Sequence, residues 1–434
     1  MRTGFFISRR TCVMTYSEKA LEALKKGDVN QFNDDIKNAK ENDSDDMLYS
    51  LAEELYSLGF LNDSLDIYKG LLKKYPDEDE LRTSIADILI SEGKIDKALN
   101  YLSEIKPDSP NYVNALMVEA DLYQTQEMYS VSEHKLLEAE KIDPDENVIK
   151  FALAELYFST GQFDKAIPIY LGLIKQGELN ISSVNLVERL GVAYANAGHF
   201  EQAIGYLEQI KPIDMTPDVK FETGFTYLQL KDYAKAIEML KQLREDDPQY
   251  ASLYPYLGEA YIEMNEPENA LKVYQEGMSV DQYNVNMYIR AADVAAKLSE
   301  EDLALKYLKE GHKVDPDNME LIIKLSNLYV KQGEYQKNVD FLAQYVKNEE
   351  TDPQIYWNLA VSYAHLEKYD EAQKYYQRAL PYFDDNPDFL HEAILLFREN
   401  GQIKETIKLL KRYVKLVPTD DEMAYMLEDL EDYE

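Results

Sequence analysis

A pattern of small residues, tyrosine and glycine returns every 34 residues through most of this 434-residue chain. Aligned on Ala360 and Tyr363, its units begin at residues 45, 79, 113, 147, 184, 217, 251, 285, 319, 353 and 387. Nine of the ten steps between these starts are 33 or 34 residues long. A fixed period of this length is the signature of a repeat array, in which each unit buries its apolar face only against its neighbours.

Each unit has the pattern of two helices joined by a tight turn. In the unit that begins at Pro353, apolar residues recur three or four positions apart, which defines one face of an α-helix. The eighth position is Ala, Gly or Ser in ten of the eleven units, and the twentieth is Ala in seven. Two helices can cross closely only where side chains are small, so we interpret both positions as crossing points.

The ends of the two helices carry their own signals. Proline closes the second helix of six units, at Pro76, Pro110, Pro144, Pro248, Pro316 and Pro418. The turn between the helices contains glycine in six units, where a residue that tolerates positive φ ends the first helix. These glycines are Gly59, Gly93, Gly161, Gly198, Gly333 and Gly401.

These units resemble the tetratricopeptide repeat (TPR) family over about nine-tenths of the chain, and the chain resembles a long-array bacterial cytoplasmic TPR protein. The resemblance implies an all-α fold, a right-handed superhelical solenoid of about eleven helical hairpins with capping helices at both ends. It also implies that the first helices line a concave groove. The departures are few: Glu119 replaces a large apolar residue, Ala295 replaces a tyrosine, and the last unit is the most degenerate.

The repeat register divides the chain into segments. We expect residues 1–13 to be a disordered tail or a mis-assigned start before Met14, and both ends of the array to be closed by polar caps. Irregular stretches at 175–183 and 211–217 flank one unit, and they predict a hinge, although a longer loop absorbed without a bend fits equally well. The predicted segments are a capping hairpin at 14–44, an array in two parts at 45–183 and 184–418, and a capping helix at 419–434.

Composition restricts the partners and the compartment. The net charge of −35 repels phosphate backbones and anionic membranes, so we predict neither nucleic acid nor membrane as a partner. The single cysteine, Cys12, and the lack of an apolar run of about 18 residues favour a cytoplasmic protein. Of the 35 tyrosines, 15 fall at the eleventh, seventeenth and twenty-fourth positions, which we interpret as core packing.

Motifs for chemistry are missing from the sequence. The five histidines have no metal-site spacing, and no His-Glu-x-x-His element, phosphate-binding glycine loop or nucleophile motif occurs. We therefore predict no catalytic, cofactor or metal site, and a protein that is not an enzyme.

If the family geometry holds, positions 2, 5, 9, 12 and 13 of each unit face the groove. Six of the first eight ninth positions are acidic: Glu53, Asp87, Asp121, Glu155, Glu259 and Asp293. The other candidates are the aromatic residues Tyr49, Tyr56, Phe151, Phe158, Phe221, Phe225 and Trp357, together with His391. Aromatic anchors beside rows of carboxylates predict a partner segment with basic and apolar residues. The acidic row is also compatible with positions that simply face water.

Trp357 is the only tryptophan, and it follows Tyr356, the position at which the family has a core tryptophan. One step along a helix turns a side chain by about 100°, so we expect Trp357 to face the groove. Some TPR domains hold a chaperone C-terminal carboxylate with Lys at the fifth and Asn at the ninth position. Here Asn327 is accompanied by Ile323, which argues against a partner of that carboxylate-clamp type.

Three functional hypotheses follow from the resemblance and the groove. The first is a non-enzymatic scaffold or adaptor for protein–protein interaction. The second is a regulatory protein that senses a peptide through a change in superhelix pitch. The third is a non-catalytic subunit of an enzyme complex.

Overall fold

The structure of the protein, a computed structural model, describes residues 14–346 and 351–431. The prediction of an all-α fold is confirmed for these residues. The expected tail at 1–13 lies outside them. The helices are α1 (Tyr16–Lys26), α2 (Val29–Asn42), α3 (Asp45–Ser57), α4 (Leu61–Lys74), α5 (Asp79–Ser91), α6 (Ile95–Ser103), α7 (Tyr112–Thr125), α8 (Tyr129–Ile142), α9 (Asn147–Ser159), α10 (Phe163–Lys175), α11 (Leu186–Asn196), α12 (Phe200–Leu207), α13 (Pro217–Gln229), α14 (Tyr233–Asp246), α15 (Leu253–Glu263), α16 (Pro267–Val280), α17 (Val285–Lys297), α18 (Glu301–Val314), α19 (Met319–Lys331), α20 (Tyr335–Leu342), α21 (Pro353–His365), α22 (Tyr369–Ala379), α23 (Pro387–Glu399), α24 (Ile403–Leu416) and α25 (Asp421–Glu431).

From α3 to α24 the odd-numbered helices are the first helices of the hairpins, and the even-numbered ones are the second helices. Eight of the eleven first helices begin at the residue that the repeat register predicts; α7, α11 and α15 differ by one or two residues. Five of the six closing prolines stand two residues beyond the end of a second helix. The exception is Pro110, because α6 already ends at Ser103, before Ile105-Lys106-Pro107.

The turn inside every hairpin has the same backbone conformation. The fifteenth residue of each unit has positive φ, between 58° and 82°, whether or not it is glycine. Six of these residues are the predicted glycines. The other five are Glu127, Lys231, Asn265, Ser299 and Glu367. The left-handed residue is thus required by the hairpin, and side chains other than glycine occupy it at some cost in backbone energy.

One contact closes every hairpin. The residue at position 24 is leucine or tyrosine in all eleven units and is almost completely buried in each. It packs against the small residue at position 8. A Cβ added to Gly191, Gly224 or Gly258 would lie within 3 Å of the side chain of Leu207, Leu240 or Tyr274. The predicted crossing points are therefore sites of direct contact between the two helices.

The array is extended beyond the repeats on both sides. The first two helices, α1 and α2, form a hairpin with Gly27 in the left-handed conformation at its turn. Thr15 and Glu18 make a reciprocal capping box at the start of α1. After the last unit, α25 buries Met423 against the preceding hairpin while its other face is mostly acidic.

The chain forms two compact units, with the described residues up to Lys211 in one and those from Pro212 in the other. The three extra residues near 180 form a short antiparallel hairpin that the sequence did not predict, Asn180–Ile181 paired with Val184–Asn185. Ser182 and Ser183 both have positive φ there, as a two-residue hairpin turn requires. Residues Pro212–Asp214 form a 3-10 turn. The proposed division of the array and the hinge both stay predictions.

The interpretation of the tyrosines needs one correction. Those at position 24 are core residues, but those at position 17 are not. Each of the four begins a second helix, and Tyr129 and Tyr369 are 43% and 38% exposed. A residue at the first helical position lies over the turn rather than against the facing helix, so its ring stays near the surface. In residues 14–346 and 351–431, no helix is long and apolar enough to cross a bilayer.

The close contact at Gly258 generates a stability prediction. Gly258→Ala places a methyl group 2.3 Å from the Tyr274 ring, so we expect a loss of about 1–3 kcal/mol in the unfolding free energy. Gly172→Ala is the control, because its added methyl group meets nothing within 4 Å and we expect a gain of about 0.5–1 kcal/mol. Urea denaturation followed by circular dichroism, with amide hydrogen exchange in α15 and α16, measures both. Equal effects of the two substitutions would contradict the proposed contact.

Candidate functional site

The predicted groove positions form what we call the first-helix surface, made by positions 2, 5, 9, 12 and 13 of each unit. In the N-terminal compact unit, an open pocket of about 550 Å³ lies where α3 and α5 meet the C-terminal end of α4. Tyr49 lines it and donates a hydrogen bond from its hydroxyl to Glu80 Oε1 at 3.0 Å. Burial and the neighbouring carboxylates of Glu80 and Glu53 raise the pKa of Tyr49 to about 12.

The next helices continue this surface. Tyr56 on α3 is half-buried, and its hydroxyl lies 3.4 Å from Ser91 Oγ on α5. Burial raises the pKa of Tyr56, and the carboxylates of Asp87 and Asp121 add to the effect. The structure therefore brings together five of the predicted residues, which we call the acidic-tyrosine patch: Tyr49, Glu53, Tyr56, Asp87 and Asp121.

The carboxylates of this patch are not neutralised by the protein itself. Within residues 14–346 and 351–431, no basic side chain lies at ion-pair distance from Glu53, Asp87 or Asp121. Asp121 is solvent-exposed, yet the surrounding atoms desolvate its carboxyl and, with the nearby Asp87 carboxylate, raise its pKa. The carboxylates of Asp87 and Asp121 therefore repel each other. An incoming cation would relieve this repulsion.

Two other members of the acidic row are already paired. Glu155 forms an ion pair with Arg189 at 3.2 Å and accepts a hydrogen bond from the Tyr170 hydroxyl. Asp293 accepts a hydrogen bond from Lys324 at 2.7 Å. The acidic row is therefore partly neutralised, because at these two positions the next repeat supplies a basic residue 34 or 31 positions later.

The residue type at position 9 of a unit is correlated with the residue type at position 24. The three units with Glu at position 9 all have Tyr at position 24, which is Tyr in four units altogether. The three units with Asp at position 9 all have Leu at position 24. Tyr170 reaches the Glu155 carboxylate directly. Burial raises the pKa of Tyr68 and Tyr274, and Glu53 and Glu259 raise it further. The core tyrosine thus presents its hydroxyl beside the surface carboxylate.

The aromatic candidates on α9 differ in accessibility. Phe151 is 8% exposed and belongs to the core, so its expected place in an open groove is corrected. Position 5 of this unit points between neighbouring helices rather than to solvent. Phe158 is half-buried, and the Arg189 guanidinium lies over its ring at 4.8 Å from the centroid. Arg189 therefore covers Phe158 and neutralises Glu155 at the same time.

In the C-terminal compact unit, Phe221 and Phe225 line one side of an aromatic cluster. Their rings lie 5.5 and 5.1 Å from Tyr256, and Tyr250 packs on Phe221 at 5.4 Å. An open pocket of about 570 Å³ is lined by Phe221, Tyr256, Glu259 and Arg290, among others. Sequence reasoning missed the two tyrosines, because they lie at the end of one unit and at the sixth position of the next, outside the family's groove positions.

Trp357 and His391 lie on successive first helices, α21 and α23. Trp357 is half-buried; its indole Nε1 donates to Glu392 Oε2 at 2.8 Å, and its ring packs on Phe383 and Phe389. Part of the ring is exposed as expected, but its polar atom is already bonded. His391 is half-buried against the Tyr413 ring at 5.9 Å. Glu392 is the residue that the sequence reasoning missed here.

In residues 14–346 and 351–431, no group of three or more His, Cys, Asp or Glu side chains is arranged so that it could hold a metal ion. The surface instead offers aromatic rings, tyrosine hydroxyls and carboxylates, which suit non-covalent recognition of cations and apolar groups.

The raised pKa of Asp121 generates a pH-dependent prediction. The folded state holds this proton more tightly than the unfolded state, so stability falls as the pH rises through the raised pKa. Asp121→Asn removes the penalty. We expect the variant to be more stable than the parent at pH 7, by roughly 0.5 kcal/mol or less, and equally stable below about pH 3, where both states are protonated.

Asp293→Asn provides the matched control, because Asp293 is paired with Lys324 and its loss brings no gain at pH 7. Urea denaturation at pH 7 and pH 3 measures the difference. A pH-independent effect of Asp121→Asn would disprove the electrostatic origin.

Comparison with protein families places tetratricopeptide repeats along the chain. Sequence models of YpiA-like tetratricopeptide repeats match residues 124–178, and those of the YpiA-like C-terminal repeats match 353–420. A model of the tetratricopeptide repeat protein 21 ARM repeat matches 13–129, and a general tetratricopeptide repeat model matches 227–286.

Individual relatives are similar to this chain over different lengths. It is 32% identical over 418 residues to the TPR repeat-containing protein YpiA of Bacillus subtilis (strain 168), covering 96% of this chain and 99% of that protein. It is 26% identical over 208 residues to tetratricopeptide repeat protein 21A of Mus musculus, covering 46% of this chain and 15% of that protein. A solved structure of the C-terminal part of a TPR repeat-containing protein from Cytophaga hutchinsonii is 19% identical, with a TM-score of 0.46, over 56% of this chain and 99% of that one.

Proposed function

Because this chain belongs to the YpiA-like family of tetratricopeptide repeat proteins, we propose that it is a non-enzymatic scaffold or adaptor that binds a protein segment along its first helices. The segment carries lysine or arginine side chains together with apolar ones. The protein acts in the cytoplasm, where its negative charge excludes nucleic acids and anionic membranes as direct partners.

The observation that carries this proposal is the acidic-tyrosine patch. Three successive first helices, α3, α5 and α7, contribute carboxylates that no basic residue of the described chain neutralises. Desolvation of Asp121 and, after it, the nearby Asp87 carboxylate disfavour the charged form of this carboxyl and raise its pKa. A lysine or arginine side chain of a partner would pair with them. The exposed parts of the Tyr49 and Tyr56 rings would cover the aliphatic part of that side chain.

The aromatic cluster supports the apolar half of the proposal. Phe221 and Tyr256 line an open pocket of about 570 Å³ in the C-terminal compact unit, and the Phe225 ring packs on Tyr256 beside it. Glu259 lies at the same pocket and is free of ion pairs in the described part of the chain. Buried aromatic anchors with charged residues at the rim are typical of the sites that dominate interface energy.

The paired members of the acidic row have a different role in this proposal. Glu155 and Asp293 hold neighbouring repeats together through Arg189 and Lys324. They therefore help to shape the surface and do not pair with the basic residues of the partner. The pattern of free and paired carboxylates then sets where the basic residues of the partner bind.

The first prediction of this proposal concerns the acidic-tyrosine patch. The triple variant Glu53→Gln, Asp87→Asn, Asp121→Asn should lose partners that the parent protein captures, because it removes three unneutralised charges. Asp293→Asn should keep them. Affinity purification of the three proteins, with partners identified by mass spectrometry, measures the difference.

The captured partners are tested further for direct contact. A photo-crosslinking phenylalanine analogue in place of Tyr56 should crosslink to segments with lysine or arginine, and the same analogue at Tyr283 should not. Tyr283 is 73% exposed and lies outside the first-helix positions. Identical partner sets for the triple variant and the parent, or crosslinks to acidic segments, would refute the proposal.

The second prediction concerns the aromatic candidates. Changing Phe221, Phe225 and Trp357 to Ala should weaken capture of the same partners at least tenfold, since truncation of an aromatic anchor costs about 2 kcal/mol or more. Circular dichroism checks that the helices remain. Phe151→Ala is the contrasting variant, because this buried ring should affect stability and leave binding unchanged in molecules that stay folded.

A further inference from the structure

A pocket of about 430 Å³ opens on the second helices near the N-terminal end of the array. It is formed by α2, α4 and α6, with Ile67, Leu71 and Tyr101 among its apolar walls. None of the predicted partner-binding residues lines it. This pocket is therefore separate from the first-helix surface, and what it binds does not depend on the function proposed above.

The charge of this pocket is opposite to that of the chain. Four lysines line it against a single carboxylate, Asp66, in a protein of net charge −35. Lys40 pairs with Asp66, and Lys74 pairs with Asp45, both at 2.6 Å. The remaining two, Lys69 and Lys73, have no carboxylate within ion-pair distance in the described residues. Lys40 has the largest effect in lowering the pKa of Asp66, and Lys73 and Lys69 lower it further, so both of these lysines lie close to the Asp66 carboxylate.

Gly70 opens the pocket. It lies inside α4 without positive φ, and an added Cβ would meet nothing within 4 Å, so neither the backbone nor the packing requires glycine. A glycine inside a helix is less stable than alanine at the same position. Nine of the other ten units carry a long polar side chain at this position: Glu104, Glu138, Gln209, Gln242, Glu276, Glu310, Gln344, Arg378 and Arg412. The tenth has Gly172.

In other units the long side chain at this position makes contacts that Gly70 lacks. Glu104 accepts a hydrogen bond from Arg82 Nε at 3.0 Å, and Glu276 accepts one from Arg244 Nη1 at 3.2 Å. At Gly70 the corresponding space is empty and leads to the apolar wall between Lys69 and Lys73. Where most other units carry a long polar side chain, Gly70 thus leaves an opening between the lysines.

We propose that this pocket, which we call the Gly70 pocket, binds a carboxylate-rich segment of a partner protein. The segment inserts one apolar or aromatic side chain beside Gly70 and Tyr101. Its carboxylates pair with Lys69 and Lys73, the two lysines that the protein leaves unpaired. The apolar walls and the volume fit a side chain, whereas a simple inorganic anion would use only the charge.

The full chain is tested by fluorescence anisotropy with a fluorescein-labelled peptide of alternating Asp and Glu around one central Phe. Gly70→Gln fills the opening, and Lys69→Gln with Lys73→Gln removes the free charges. We expect each of these two variants to weaken binding about tenfold, since loss of two exposed pairs or of one side-chain site corresponds to about 1.4 kcal/mol. Lys69→Arg with Lys73→Arg should keep most of the affinity.

The matched control is Gly172→Gln, which makes the same change at the same repeat position in α10 and should leave binding unchanged. Circular dichroism confirms that every variant is folded. Unchanged binding by folded Gly70→Gln overturns the proposal. So does equal affinity for a peptide with Ala in place of Phe together with displacement by inorganic phosphate, which would indicate a simple anion site.

Discussion

The contact between the eighth and the twenty-fourth residue of each hairpin is the constraint on which this structure depends. The eighth residue is small in ten units, and the twenty-fourth is leucine or tyrosine and buried in all eleven. Where glycine occupies the eighth position, the facing side chain fills the space that a methyl group would need. The small eighth residue therefore lets the two helices of a unit cross closely, and each new hairpin can stack on the previous one.

This constraint leaves the first-helix surface free to vary, and the protein uses that freedom unevenly. The ninth residue directly follows the crossing point, about 100° further around the helix, so its side chain faces outward next to the tyrosine or leucine of the core. Where the core residue is tyrosine, its hydroxyl can reach a glutamate, as Tyr170 reaches Glu155. Core and surface are thereby linked at this position.

The second helices follow the same logic. Long polar side chains at the position of Gly70 form hydrogen bonds in several units, within their own hairpin for Glu104 and Glu138 and to the preceding repeat for Glu276 and Arg412. A glycine at that position gives up such a bond and some helix stability. On the first-helix surface and at the Gly70 pocket alike, an open, charged and partly apolar site is accompanied by a local loss of stability.

Most of the fold was predictable because its causes are local and repeated. Glycine at the hairpin turns, small residues at the crossing points and prolines beyond the second helices each act within one unit, and eleven copies make the register unambiguous. The exceptions also have local causes. Serine adopts positive φ at Ser182 and Ser183, and the tyrosines at position 17 begin a helix instead of facing its partner.

The candidate site was predictable only in part, because the pairing of its carboxylates and the burial of its aromatic rings depend on side chains of other units. The acidic row was visible in the sequence, but the pairing of Glu155 with Arg189 and of Asp293 with Lys324 was not. The burial of Phe151 and the bond from Trp357 to Glu392 were equally hidden. These partners are about one repeat apart in the chain, and rotamer and stacking geometry decide whether they meet.

The amino-acid sequence alone determined the helical hairpin, its period and its crossing points, because each of these follows from side-chain size and backbone preference within one unit. Tertiary structure decided which carboxylates are neutralised, which aromatic rings are covered and where glycine opens a pocket. Those outcomes depend on distances between side chains of stacked units, and a repeat pattern specifies the stacking but not the individual contacts across it.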